Sequence, residues 1–181
     1  EEFRKGVDTA IRYAQTLGCD RVNCLAGIAP KGISADTLES TFVANLQFAA
    51  PKLAGAGIKL LIEPINLRDI PGFYLSTTAH AERVLAAVGS DNLYIQYDVY
   101  HMQVMQGDLV PTFERLRSHI GHVQIADNPG RNEPGTGEIN YGFVLPALER
   151  LGYAGYVGCE YKPKAGTSEG LGWMKPYRSA S

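Results

Sequence analysis

Apolar residues at two different spacings alternate along the chain. Phe3, Val7, Ala10, Ile11 and Ala14 recur at helical intervals, and Gly18 stands where a helix would end, so residues 1–17 are expected to form a helix. Arg21-Val22-Asn23-Cys24-Leu25 reads as a strand, and Ser34 precedes a second helical pattern through Leu38, Phe42, Leu46 and Leu53, closed by Gly55 and Gly57. Further strands are expected at 58–63, 93–98, 121–126 and 156–161, with helical patterns near 77–88, 109–119 and 140–151 between them. Short strands alternating with longer helices predict βα units and a parallel sheet. No G-x-G-x-x-G follows a strand, which leaves a dinucleotide-binding sheet without support and favours an α/β TIM (β/α)8 barrel. A closed barrel needs eight strands and the chain opens in a helix, so residues 1–181 are expected to be the C-terminal portion of a single TIM-barrel domain, roughly its last five βα units.

Composition narrows the function without fixing it. The apolar share of 45% is ordinary for a globular protein, and no apolar run nears the roughly 20 residues that span a bilayer. Glu1-Glu2-Phe3-Arg4 lacks the basic-then-apolar order of a signal peptide, so a cytoplasmic location and no membrane partner are expected. A net charge of −2 without Lys/Arg clusters argues against nucleic acid and for a small molecule. Cys19, Cys24 and Cys159 form no metal-type pair and are expected to be reduced and structural.

The candidate chemistry lies at the strand ends. Strands of a parallel sheet are covered on both faces and should be apolar throughout, yet four of these end in Glu63, Asp98, Gln124 and Glu160. In a TIM barrel those ends converge on the active site. Period two turns Gly158 inward with Glu160, and Leu61 inward with Glu63, leaving Val157 and Cys159 toward the helices. Three carboxylates gathered in a cavity repel and lose hydration, and a divalent cation is the simplest compensation. An all-oxygen donor set favours Mg²⁺ or Mn²⁺ over Zn²⁺. A single such acid is as well read as a helix cap or a rim ion pair; four at equivalent strand ends favour a metal centre.

At these residues the sequence resembles the hydroxypyruvate isomerase family, part of the xylose isomerase-like TIM barrels that also include ketose 3-epimerases and an apurinic endonuclease. The resemblance runs through Leu61-Ile62-Glu63-Pro64-Ile65-Asn66, Ile70-Pro71-Gly72-Phe73 and Gln96-Tyr97-Asp98-Val99-Tyr100-His101-Met102. It continues through Gln124-Ile125-Ala126-Asp127-Asn128-Pro129, Glu133-Pro134-Gly135-Thr136-Gly137-Glu138-Ile139-Asn140-Tyr141 and Gly158-Cys159-Glu160-Tyr161-Lys162-Pro163. It implies Mg²⁺ or Mn²⁺ on Glu63, Asp98, Gln124 and Glu160, with Glu63 and Glu160 as catalytic acid/base groups. The related epimerases carry a His where Gln124 stands. They hold substrate oxygens with residues that match His101 and Arg131 here. A lone His is otherwise often structural, and Arg131, in a Gly/Pro-rich loop after a strand, is otherwise read as an ordinary solvated charge, although a guanidinium fork suits a carboxylate. Lys162 is open between a substrate contact and a surface position, and Trp173 and Tyr177 are expected to pack a last helix.

The expected activity is interconversion of hydroxypyruvate and 2-hydroxy-3-oxopropanoate through an enediolate. Alternatives are a 2-oxo-tetronate isomerase, a ketose 3-epimerase or a non-catalytic sugar-acid binding protein. An endonuclease would need more histidines than His80, His101, His119 and His122, and a basic face where the pI is about 6.1. A homo-oligomer is an open possibility.

Overall fold

The computed structural model describes residues 1–177. Its elements run α1 (Glu2–Leu17), β1 (Arg21–Asn23), α2 (Ala35–Gly55), β2 (Lys59–Ile62), α3 (Thr78–Val88), β3 (Leu93–Asp98), α4 (Val99–Met105), α5 (Leu109–Leu116), β4 (Ile120–Ile125), α6 (Tyr141–Arg150) and β5 (Val157–Cys159). The five strands pair in sequence order, all parallel, which makes a half barrel with helices on its outer face. Among the described residues no helix is long and apolar enough to cross a membrane.

Helix ends follow local chemistry. Gly18 closes α1 with φ 63°, a left-handed conformation that suits a residue without Cβ. Ser34, Thr77 and Asn140 cap α2, α3 and α6 by accepting the backbone N–H of Thr37, His80 and Phe143. Two expected strands are shorter than their apolar runs. β1 stops at Asn23 rather than Leu25, and β5 at Cys159 rather than Tyr161, because beyond these points the chain leaves the ladder to form loops. The final segment, Glu169–Tyr177, is a 3₁₀ helix in which Trp173 Nε1 donates to Tyr161 Oη and Tyr177 Oη to the Tyr141 carbonyl, so both aromatics pack as expected. Helix α4 was not legible as a separate element; it starts at the residue after Asp98, whose carboxylate caps it.

The period-two alternation sorts the sheet into two faces. Val22, Leu60, Ile62, Ile95, Tyr97, Val123 and Ile125 pack outward against Val7, Leu46, Leu53, Val84, Phe113 and Val144 of the helices in one core. The intervening residues Asn23, Leu61, Gln96 and His122 line a concave inner surface. Inner positions crowd each other: a Cβ on Gly158 would lie 2.9 Å from His122 Nε2 and 3.3 Å from Gln124 Cγ, so this glycine makes room for its neighbours on the inner face. A bulge between Ile95 and Gln96 shifts the β3–β4 register so that Asp98 pairs with Gln124, and Gln124 in turn pairs with Gly158.

Candidate metal centre

Glu63 stands directly after β2, Asp98 ends β3 and Glu160 directly follows β5, so three carboxylates reach the same end of the sheet. Together with His101 on α4 they place one ligand atom each within 4.8 Å of one another. Glu63, Asp98 and His101 are buried, whereas the Glu160 side chain is 54% exposed, which leaves the cluster open on one side.

Each buried carboxylate is held by one oxygen and offers the other. Glu63 Oε2 accepts from Asn23 Nδ2 at 2.7 Å and Gln96 Nε2 at 2.8 Å, and Asp98 Oδ1 accepts the Tyr100 and His101 backbone N–H groups. Glu63 Oε1 and Asp98 Oδ2 are buried and have no hydrogen-bond partner. His101 Nε2 faces both, 3.9 Å from Glu63 Oε1 and 3.5 Å from Asp98 Oδ2, too far for hydrogen bonds. Burial, reinforced by the charge of Asp98, pushes the Glu63 carboxyl up to about 8 despite the Asn23 and Gln96 bonds that favour its anion. Burial likewise pushes Asp98 up to about 6, and it drives His101 down to about 4, aided by the positive charge of Arg131, so its ring is neutral at pH 7. Two orphaned carboxylate oxygens beside a third carboxylate suit a divalent cation, which would remove both the repulsion and the unmet hydrogen-bonding capacity.

Gln124 sits beside this group. Its Oε1 accepts from Gln96 Nε2 at 2.6 Å, so the Gln96 amide links Glu63 to Gln124. The second lone pair of that carbonyl oxygen remains for a cation. Arg131, at φ 52°, donates from Nη2 to Glu160 Oε2 at 2.8 Å and stacks over the Tyr100 ring with 5.2 Å to its centroid. Its loop is organised by Asp127, whose carboxylate accepts the backbone N–H groups of Asn128, Gly135, Thr136, Gly137 and Ile139. The loop is tied to the chain after Glu160 through Lys162 N–H to the Arg131 carbonyl and Asn132 Nδ2 to the Lys162 carbonyl. Lys162 itself is exposed.

The cysteines take no part. Cys19 and Cys159 are exposed free thiols, and burial pushes the Cys24 thiol up to about 11. Three residues that matter were not singled out from sequence: Asn23, Gln96 and Asn66. Gln96 carried a usable signal, since it lies two residues before Asp98 and must share its face. Asn23, a polar residue in the middle of the run expected as a strand over 21–25, carried a weaker one. Asn66 carried none beyond its place three residues after Glu63.

Residues 1–177 match the model of the Xylose isomerase-like TIM barrel family. Hydroxypyruvate isomerase of Escherichia coli (strain K12) is 54% identical over 178 residues, covering 98% of this chain and 69% of that protein. The 2-oxo-tetronate isomerase of Cupriavidus necator is 43% identical over 176 residues, covering 97% of this chain and 68% of its own length. Among solved structures, an AP endonuclease, family 2, from Brucella melitensis superposes with a TM-score of 0.94 at 42% identity, covering 98% of this chain and 69% of that one. D-psicose 3-epimerase from Clostridium cellulolyticum H10 shares the fold, with a TM-score of 0.77 at 19% identity, covering 92% of this chain and 58% of that one.

Proposed function

The chain belongs to the xylose isomerase-like TIM barrel family, and on that premise we propose that the carboxylate cluster is the centre of a metal-dependent isomerase interconverting hydroxypyruvate and 2-hydroxy-3-oxopropanoate. The observation that carries this reading is the pair of orphaned oxygens, Glu63 Oε1 and Asp98 Oδ2, in a cluster where Glu63, Asp98, His101 and Glu160 each bring a ligand atom within 4.8 Å of the others. Identity to a hydroxypyruvate isomerase over nearly the whole chain supports the substrate.

The residues that would hold Mg²⁺ or Mn²⁺ are Glu63, Asp98, Gln124 and Glu160. When bound, the ion polarises the substrate carbonyl and offsets the negative charge that develops on the neighbouring oxygens. In sheet order Glu63 and Glu160 stand at the two ends of the row, with Asp98 and Gln124 between them. That arrangement suits a reaction in which one glutamate takes a proton from C3 and the other returns one to C2. As the C3–H bond breaks, its electron pair forms the C2–C3 double bond and the C2=O π pair moves onto O2; the O3 proton then passes to O2 and C2 takes a proton as the C3=O bond forms, giving the aldehyde and the new 2-hydroxyl. Arg131 supplies a guanidinium fork for the substrate carboxylate from its loop beside Glu160. His101 lends a hydrogen bond to a substrate oxygen.

Proton NMR of hydroxypyruvate in D₂O tests the proposal. Loss of the C3 signal and appearance of 2-hydroxy-3-oxopropanoate, both requiring Mg²⁺ or Mn²⁺ and intact Glu160, are the expected results. Metal and ligand binding without any proton exchange would mark a binding protein instead. The 43% identity to a 2-oxo-tetronate isomerase supports a second reading with a 2-oxo acid longer by one carbon; comparing kcat/KM for the two acids separates them.

A further inference from the structure

Two donors converge on one nitrogen of the ring at the centre of the site. The backbone N–H of Asn66 points at His101 Nδ1 from 3.4 Å, and the Asn66 side-chain Nδ2 lies 2.6 Å from the same atom. A backbone N–H cannot be reassigned as an acceptor, so Nδ1 must accept. The amide orientation is fixed independently. Asn66 Oδ1 accepts the Asp69 backbone N–H at 2.8 Å, and Nδ2 gives its other hydrogen to Asp69 Oδ2 at 3.2 Å. Asp69 Oδ2 is itself held by Tyr100 Oη at 2.7 Å, and Asn66 and His101 are buried although Asp69 is exposed.

The geometry points to Asn66 as a positioning residue that locks neutral His101 in the tautomer carrying its proton on Nε2. That nitrogen is the one aimed at Asp98 Oδ2 and Glu63 Oε1. A protonated Nε2 has no lone pair to give a cation, so His101 is excluded from the donor set despite lying inside the cluster. It presents an N–H instead, which suits an oxygen that gains negative charge as a carbonyl is enolised. This role of His101 rests on the isomerase reading; the tautomer assignment does not.

The test is a two-bond ¹H–¹⁵N correlation spectrum of the protein labelled with ¹⁵N-histidine, with His101→Ala identifying the His101 signals among those of the four histidines. The Nε2–H pattern is expected without metal and unchanged with Mg²⁺. Replacing Asn66 by Asp puts an acceptor opposite Nδ1 and should move the proton there, lowering kcat on the order of tenfold or more and freeing the Nε2 lone pair beside the carboxylates, so that Mn²⁺ affinity rises rather than falls. Asn66→Ala keeps the backbone donor and should keep the wild-type tautomer, with a smaller loss of kcat. An Nδ1–H pattern in the wild type, or a metal-bound Nε2 on adding Mg²⁺, overturns the assignment whether or not hydroxypyruvate is a substrate. Equal losses of kcat in the Asp and Ala variants with the tautomer unchanged would reduce Asn66 to a packing role. Should Asn66→Asp fail to fold, the wild-type and Ala spectra still decide. A correct tautomer with no turnover would leave Asn66 in place and remove the isomerase reading instead.

Discussion

Glu63 is buried, with the charge of Asp98 beside it, and that has a consequence for stability before any catalysis. Its pKa rises from 4.5 unfolded to about 8 folded, so between those values the folded state binds more protons than the unfolded one and stability falls as pH rises. The metal-free protein is therefore expected to lose on the order of a few kcal/mol between about pH 5 and pH 8. Thermal melts in a chelator should show the fall, and Mg²⁺ or Mn²⁺ should abolish it. Asp98→Asn should shrink that fall without removing it, since burial, the larger cause, remains: the amide still caps α4 through its carbonyl oxygen but no longer repels Glu63, while metal affinity drops about tenfold or more. Glu160→Gln should act in the opposite sense. Its carboxylate is mostly solvated and paired with Arg131, so the stability change should stay within about 1 kcal/mol, while proton exchange falls by about 10²–10⁴-fold. A folded Glu160→Gln variant with wild-type exchange would remove Glu160 from the chemistry. The acids were legible in sequence because a charge at the end of an apolar strand breaks the expected pattern. Asn23, Gln96 and Asn66 break it less, and their roles depend on cross-strand and loop neighbours that no local spacing encodes.

Among elements, the central strands were read most closely. β3 has the expected bounds of 93–98, because it is buried between two neighbours and its apolar run ends where α4 begins. β1 and β5 end short of the expected Leu25 and Tyr161, since the apolar character of those residues continues after the ladder has stopped. Helix α4 was hidden because at seven residues it is too short to show a period. The loop after β4 was legible only as rich in Gly and Pro, yet it is ordered by one side chain. Asp127 is 1% exposed and accepts five backbone N–H groups, and Gly137 lies so close to the Asn128 carbonyl that a Cβ there would fall 2.0 Å from its oxygen. Asp127→Ala should cost about 3 kcal/mol or more by leaving those donors without a partner. Because the loop carries Arg131, the same change should raise KM for the acid by about tenfold and lower kcat less. Denaturant titration and steady-state kinetics measure the two effects. Equal effects on KM and kcat would mean that the loop serves chemistry rather than holding the substrate carboxylate.

For the whole molecule, the sheet order β1-β2-β3-β4-β5 leaves β1 and β5 each with a strand neighbour on one side only, among the described residues. A closed barrel of this type has eight strands, and the chain covers 69% of the Escherichia coli hydroxypyruvate isomerase and 68% of the Cupriavidus necator 2-oxo-tetronate isomerase. We therefore propose that residues 1–181 form the C-terminal portion of a single barrel domain whose remaining strands would join β1 to β5. Two unpaired parallel edges expose backbone N–H and C=O groups ready to accept another strand. The inner face that would be enclosed carries Leu61, Gln96, His122 and Tyr156. Residues 1–181 expressed alone should self-associate through those edges, and the same segment preceded by about three further βα units should run as a discrete species with higher thermal stability and measurable turnover. Light scattering after size exclusion decides the first point and the D₂O exchange assay the second. A monodisperse monomer of 1–181 that melts as cooperatively as the longer protein would mean that the half barrel is self-sufficient, with the inner face closed by its own rearrangement and the barrel proposal withdrawn.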